Sequence, residues 1–339
     1  MHNFTDVKIY FVMRERILLL ILLISMFHGI SQAEDGYQLW MRYKKINNVT
    51  LANAYRLRNQ KVYFAADKNN PTIQIIQKEL SLAFNGLLSL QPNYVTTKNQ
   101  AGLIFMIDDK NNTINEEGFI IHTNDKKQIE IIAKTNKGLL YGCFEYIRSM
   151  QMQKDVLALN VTSSPSLNIR ILNHWDNINR SVERGYAGIS IFNWHTLPDF
   201  IDKRYIDYAR ANASIGINGT VITNVNANAL FLTKDYLVKA KALADVFRPY
   251  GIKVYLTARF SAPIEIGHLK TADPLNDTVK KWWAEKVNEI YQLIPDFGGF
   301  VVKANSEGQP GPQDYQRTHA DGANMFADIL APHNRSEEH

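Results

Sequence analysis

Lys303 and Glu307 stand where an apolar run, Phe300-Val301-Val302, gives way to a loop broken by Gly308, Pro310, Gly311 and Pro312. A glutamate at a strand's carboxyl end, near Tyr315, suits a general acid, a role that needs a raised pKa to protonate a leaving oxygen at neutral pH. A structural carboxylate paired with Lys303 or Arg317 fits the same position. Lys303 shares a strand face with Asn305 and points to the same rim, where an ammonium would recognise an anionic substrate group. Trp175, flanked by His174, Asp176 and Asn177, fits either a ligand wall of the kind sugars use or core filler. The asparagines around Val225 are turn formers or ligand contacts. His319 and Asp321 are too few for a metal site, and Asp321 is expected as a helix N-cap.

The elements that must hold these residues form a repeated strand, loop and helix rhythm. Strands are expected at 169–172, 219–225, 253–260 and 298–302, and helices at 205–215, 234–250, 277–293 and 320–330. Continuous apolar strands separated by amphipathic helices predict an α/β fold with a parallel sheet, and four such strands make half of a (β/α)8 TIM barrel. Their polar ends, 173–177, 224–228, Arg259 with Ser261, and Lys303 with Asn305 and Glu307, would converge on the face where barrels carry their chemistry. Residues 37–160 have a different, α+β texture. Helical patterns cover 71–88 and 138–152, and strand patterns 102–107, 119–122 and 128–132. The polar stretch 162–166 reads as a linker, dividing an α+β N-terminal domain (34–161) from a partial TIM barrel (166–339).

Residues 1–33 read as a signal peptide: Lys8, Arg14 and Arg16 precede an apolar core over 17–27, and Ser31-Gln32-Ala33 offers a cleavage site. An uncleaved anchor is the alternative, and Met13 is an alternative start. No stable membrane span is expected after cleavage. The net charge of +5 is spread without a Lys/Arg block, which argues against nucleic acid as a partner. A single cysteine, Cys143, excludes an internal disulfide and a thiolate cluster and is expected to be buried. Export without disulfides suits a bacterial periplasmic or extracellular protein. No cofactor is expected.

The motifs LNHWDN (172–177), SVERGYAGISIFNW (181–194), ASIGINGTVITNVNA (213–227), YGIKVYL (250–256), LKTADPL (269–275) and PDFGGFVVKANSEGQPGPQDYQRTHADGANM (295–325) strongly resemble the α-glucuronidases of glycoside hydrolase family 67, and EDGYQLWMRY (34–43) resembles the start of that family's first domain. The resemblance implies inverting removal of (4-O-methyl)glucuronic acid α-1,2-linked to xylo-oligosaccharides from xylan. It makes Glu307 the general acid, Lys303 a contact to the uronate carboxylate, and Trp175 and Val225 walls around the 4-O-methyl group. A helical C-terminal domain that mediates dimers in the full-length family is also implied. Inversion requires a second carboxylate roughly 6.5–9.5 Å from the acid. The family draws it from later barrel strands, whereas after Ala331-Pro332-His333 this sequence departs and stops, so a truncated chain lacking the general base is expected. A non-catalytic uronate-binding remnant and a misassembled reading frame are the alternatives.

Overall fold

The computed structural model describes residues 16–17, 35–303, 305 and 308–333. Glu307 and nearly all of the expected signal peptide lie outside the described residues. The chain divides into two units, 1–42 and 43–339. The first carries a short 3-10 turn, Leu39–Met41.

The second unit contains two sheets. The larger has six strands in the order β2-β1-β3-β5-β4-β6, formed by β1 (Lys61–Ala65), β2 (Asn93–Tyr94), β3 (Leu103–Ile107), β4 (Phe119–Thr123), β5 (Ile129–Ala133) and β6 (Asn160–Ser163). Strands β1, β2, β3 and β5 run parallel, and β4 is antiparallel to β5 and β6. Helix Pro71–Leu88 starts where the Asn70 side chain accepts from the Thr72 N–H at 2.9 Å and Pro71 occupies the first turn; it stops at Ser89 in the left-handed region. Helix Asn136–Gln151 buries Leu139, Leu140, Cys143, Phe144, Ile147 and Met150. Gly142 makes this packing possible, because a Cβ there would come within 2.7 Å of Ile131 on β5. Cys143 is buried as expected, and burial pushes its thiol pKa well up, so it is inert.

Two expectations need correction here. The helix Val49–Asn59 and strand β1 precede the first expected elements. The expected linker begins inside β6, whose Val161 pairs with Ile121 while its polar neighbours face outward.

The second sheet comprises β7 (Ile171–Asn173), β8 (Gly219–Val221), β9 (Lys253–Arg259) and β10 (Gly299–Lys303), side by side in chain order and all parallel. It is a curled, half-barrel sheet within a mixed α/β chain. Helices Lys203–Ser214, Lys234–Phe247 and Asp277–Leu293 connect or follow the strands, and His319–Leu330 comes after β10. Phe300 packs against Trp283 and Phe326 of two of these helices, at ring centroid distances of 6.0 and 5.7 Å. Side chains alternate along a strand, so Val301 and Lys303 take the face opposite the helices. Residues paired across strands share a face. Lys303 therefore lies beside Arg259, and Val301 beside Thr257, on the helix-free side.

Buried polar contacts tie this sheet and its helices to the six-stranded layer. Arg210 donates twice to Glu79, at 2.6 and 2.7 Å, and Tyr43 donates to the same carboxylate. Glu117 accepts from Arg170 and Asn218 and pairs with Lys137; these partners outweigh burial and hold its pKa below the usual carboxylate range.

Candidate active site

Because the four strands run parallel, their carboxyl ends open on one edge of the sheet. Lys303, the last residue of β10, is only 5% exposed there. At the end of β7, Trp175 is 42% exposed, so the indole stands at the surface and is not core filler. Val225 follows β8 and is half-buried. The apolar run expected as a strand to Val225 is a strand only to Val221, because Asn224 is pulled toward the first loop: its N–H donates to Asp176 O at 2.8 Å and its Nδ2 to Trp175 O at 3.2 Å.

Two of the asparagines, Asn224 and Asn177, act on the chain itself. Asn224 donates also to Asn177 Oδ1 at 3.2 Å and accepts from Asn226 N–H at 2.9 Å. Asn177 Nδ2 donates to Ser181 O at 3.1 Å and to Glu183 O at 2.7 Å. Asp176 is buried and accepts from Ser190 Oγ at 2.6 Å, and Ser190 in turn accepts from Phe192 N–H. These bonds fold residues 174–190 into a braced loop directly after β7.

Beneath it, His174 Nε2 lies 2.7 Å from Tyr208 Oη, which lies 2.8 Å from Thr220 Oγ1. Burial pushes the His174 pKa down, against the opposing pull of Asp176. At the third strand, Arg259 Nε reaches Glu265 at 2.8 Å and Ser261 Oγ at 3.1 Å. On the fourth, Asn305 donates to Asp314 and accepts from Gln313 N–H at 3.2 Å, while Gly311 N–H donates to Asp314 at 2.8 Å. A Cβ on Gly311 would stand 2.5 Å from Asn305 Oδ1, so this closure requires glycine.

Arg317, considered beside Lys303 as a partner for Glu307, which lies outside the described residues, forms a two-pronged pair with Asp273 at 3.0 and 2.9 Å, which lowers the Asp273 pKa. One expected role changes. Asp321 is not the N-cap: Thr318 is, and Asp321 completes the capping box three residues on, accepting from Thr318 N–H at 2.7 Å.

The profile for the glycosyl hydrolase family 67 N-terminus matches residues 39–146, and that for the glycosyl hydrolase family 67 middle domain matches residues 149–336. The chain belongs to glycosyl hydrolase family 67. It is 38% identical over 318 residues to the probable alpha-glucuronidase A of Aspergillus clavatus, covering 90% of this chain and 37% of that one. It is 37% identical over 323 residues to the alpha-glucuronidase of Hypocrea jecorina, covering 89% and 38%. The family 67 chain thus spans little more than a third of the length of these relatives. Among solved structures, a GH138 enzyme targeting pectin rhamnogalacturonan II superposes with a TM-score of 0.55 at 16% identity over 82% of this chain and 43% of that one. A GH115 4-O-methyl-alpha-glucuronidase does so at 0.52 and 12%, over 80% and 39%. At such identities the likeness is one of fold.

Sequence reasoning passed over several residues of this family 67 rim. Tyr208 lies on a helix, and its role depends on the helix returning beneath β7. Glu265 reads as an ordinary helix-turn acid until Arg259 is seen beside it. Glu183 lies inside one of the quoted motifs, but no spacing rule marks it.

Proposed function

We propose that this chain binds the glucuronic acid unit of (4-O-methyl)glucuronate-substituted xylo-oligosaccharides and serves its inverting hydrolysis from xylan fragments. The observation that supports this reading is that an exposed aromatic residue, Trp175, and a buried lysine, Lys303, both stand at the carboxyl ends of the same parallel sheet. Stacking on an aromatic face and a cation in a low-dielectric setting are what a uronic acid offers itself to. In this reading Lys303 holds the uronate carboxylate, Trp175 and Val225 flank the 4-O-methyl group, and Glu307 protonates the leaving oxygen. The four strands are the first four βα units of a TIM barrel, behind an α+β N-terminal domain. The protein is exported, and its substrates meet it in the periplasm or outside the cell.

A second reading, binding without hydrolysis, draws on four described carboxylates of the rim: Asp176, Glu265, Asp314 and Asp321 are each engaged by partners within the fold. Titrating the purified protein with D-glucuronate, then assaying uronate release from aldotetraouronic acid, separates the two. Saturable binding that Lys303→Ala weakens supports the uronate site, and release of product supports the first reading over the second. No binding of glucuronate sinks both.

A further inference from the structure

Among the described residues, Glu183 carries the one carboxylate oxygen that is buried without a hydrogen-bond partner, Oε2. Its side chain is 12% exposed, and its other oxygen lies 3.8 Å from Arg184 Nε. A buried carboxylate oxygen left without a donor is costly, and such groups are rare in folded proteins.

The backbone of Glu183 is held in place from several sides. Its N–H donates to the Trp175 carbonyl at 2.8 Å, and its own carbonyl accepts from Asn177 at 2.7 Å and from Asn224 at 3.5 Å. The residue adopts a left-handed φ of 56°, a conformation that costs a glutamate energy and persists where surrounding contacts impose it. Two asparagines on separate segments and the main chain of Trp175 impose it here. The fold thus uses several hydrogen bonds to fix an acid that leaves one buried carboxylate oxygen without a donor, on a backbone bonded to that of Trp175.

We propose that Glu183 is a substrate-binding residue whose carboxylate accepts hydrogen bonds from ring hydroxyls of the bound sugar. Sugar hydroxyls are donors, and a charged acceptor makes the stronger class of hydrogen bond with them. The charge arrangement fixes which edge of the sugar it meets. Glu183 follows β7 and Lys303 ends β10, the two opposite edge strands of the sheet. A uronate carboxylate drawn to Lys303 is thereby kept from the Glu183 carboxylate, and the hydroxyl edge of the ring turns toward Glu183 and Trp175. This inference rests on the uronate site proposed above.

The test is titration of the full chain with D-glucuronate and with its 2-deoxy and 3-deoxy analogues, for wild type, Glu183→Gln, Glu183→Ala and Lys303→Ala. Glu183→Ala is expected to weaken glucuronate binding by about tenfold or more, the scale of a lost charge-assisted hydrogen bond. Glu183→Gln, nearly isosteric, keeps the fold and loses several-fold. The deciding readout is the analogue that lacks the contacted hydroxyl, which should bind wild type and Glu183→Gln alike. Equal weakening for all three ligands would assign Glu183 a structural role and overturn the inference. So would unchanged glucuronate binding in both Glu183 variants while Lys303→Ala abolishes it, an outcome that leaves the uronate site standing. Absence of glucuronate binding to wild type would remove the site and the inference together.

Discussion

Asn224 donates its side-chain amide to the main-chain carbonyl of Trp175 at 3.2 Å, so a residue three positions past the second strand of the sheet holds the aromatic residue two positions past the first. The wall of the candidate pocket is thus set by the neighbouring loop and not by its own alone.

Replacing Asn224 with alanine removes the donor to Asn177 Oδ1, a second donor to the Trp175 and Glu183 carbonyls, and the acceptor of the Asn226 N–H. The expected cost is about 1–3 kcal/mol of stability. Chemical denaturation measures it, and quenching of tryptophan fluorescence by glucuronate should weaken in parallel. An unchanged midpoint would mean that water replaces the amide without loss.

Arg210→Ala strands the Glu79 carboxylate, which is buried between the two layers. Removal of one partner from a buried pair typically costs about 3–5 kcal/mol. The double variant Arg210→Met, Glu79→Met should recover much of that loss, since no lone charge remains. If the single variant unfolds at the wild-type urea concentration, the pair contributes nothing.

His174 gives a pH dependence of defined sign. Its folded pKa is lowered, chiefly by burial, so folding favours the neutral ring. The associated stability is complete above the unfolded pKa of about 6.5 and is lost as pH falls through that value toward the depressed folded one. Thermal midpoints should drop between pH 7.5 and 5.5 more in wild type than in His174→Gln. Parallel curves for the two proteins would count against the assignment.

Glu307→Gln should reduce any uronate release by about a hundredfold or more while leaving binding intact, since it removes the proton and not the shape. Lys303→Ala should act mainly on binding. Turnover in Glu307→Gln above roughly a hundredth of wild type excludes it as the general acid.

Much of the architecture could be read from apolar periodicity. Helix Asp277–Leu293 coincides with the expected 277–293, and strands β9 and β10 lie within a residue of expectation at each end. What escaped had physical causes. The helix Val49–Asn59 has no acidic residue in its first turn, and its apolar residues do not make a clear stripe. Strand β8 ends early because a tertiary hydrogen bond to the 174–190 loop overrides local β-propensity at Thr223 and Asn224. The candidate residues at strand ends were legible because chemistry-bearing types cluster there. Glu183 was not, since its distinction lies in a missing partner and a left-handed backbone, neither of which has a sequence signature.

The adjacency of Arg259 and Lys303 has its own consequence. Paired strands lie about 4.8 Å apart, so two cations share neighbouring positions on the same face of the sheet. Glu265 masks one of them. It therefore offsets part of the positive charge that two neighbouring cations place on this face of the sheet. Without it the net charge of the rim would rise by one, which favours sulfate, phosphate and other anions without discrimination.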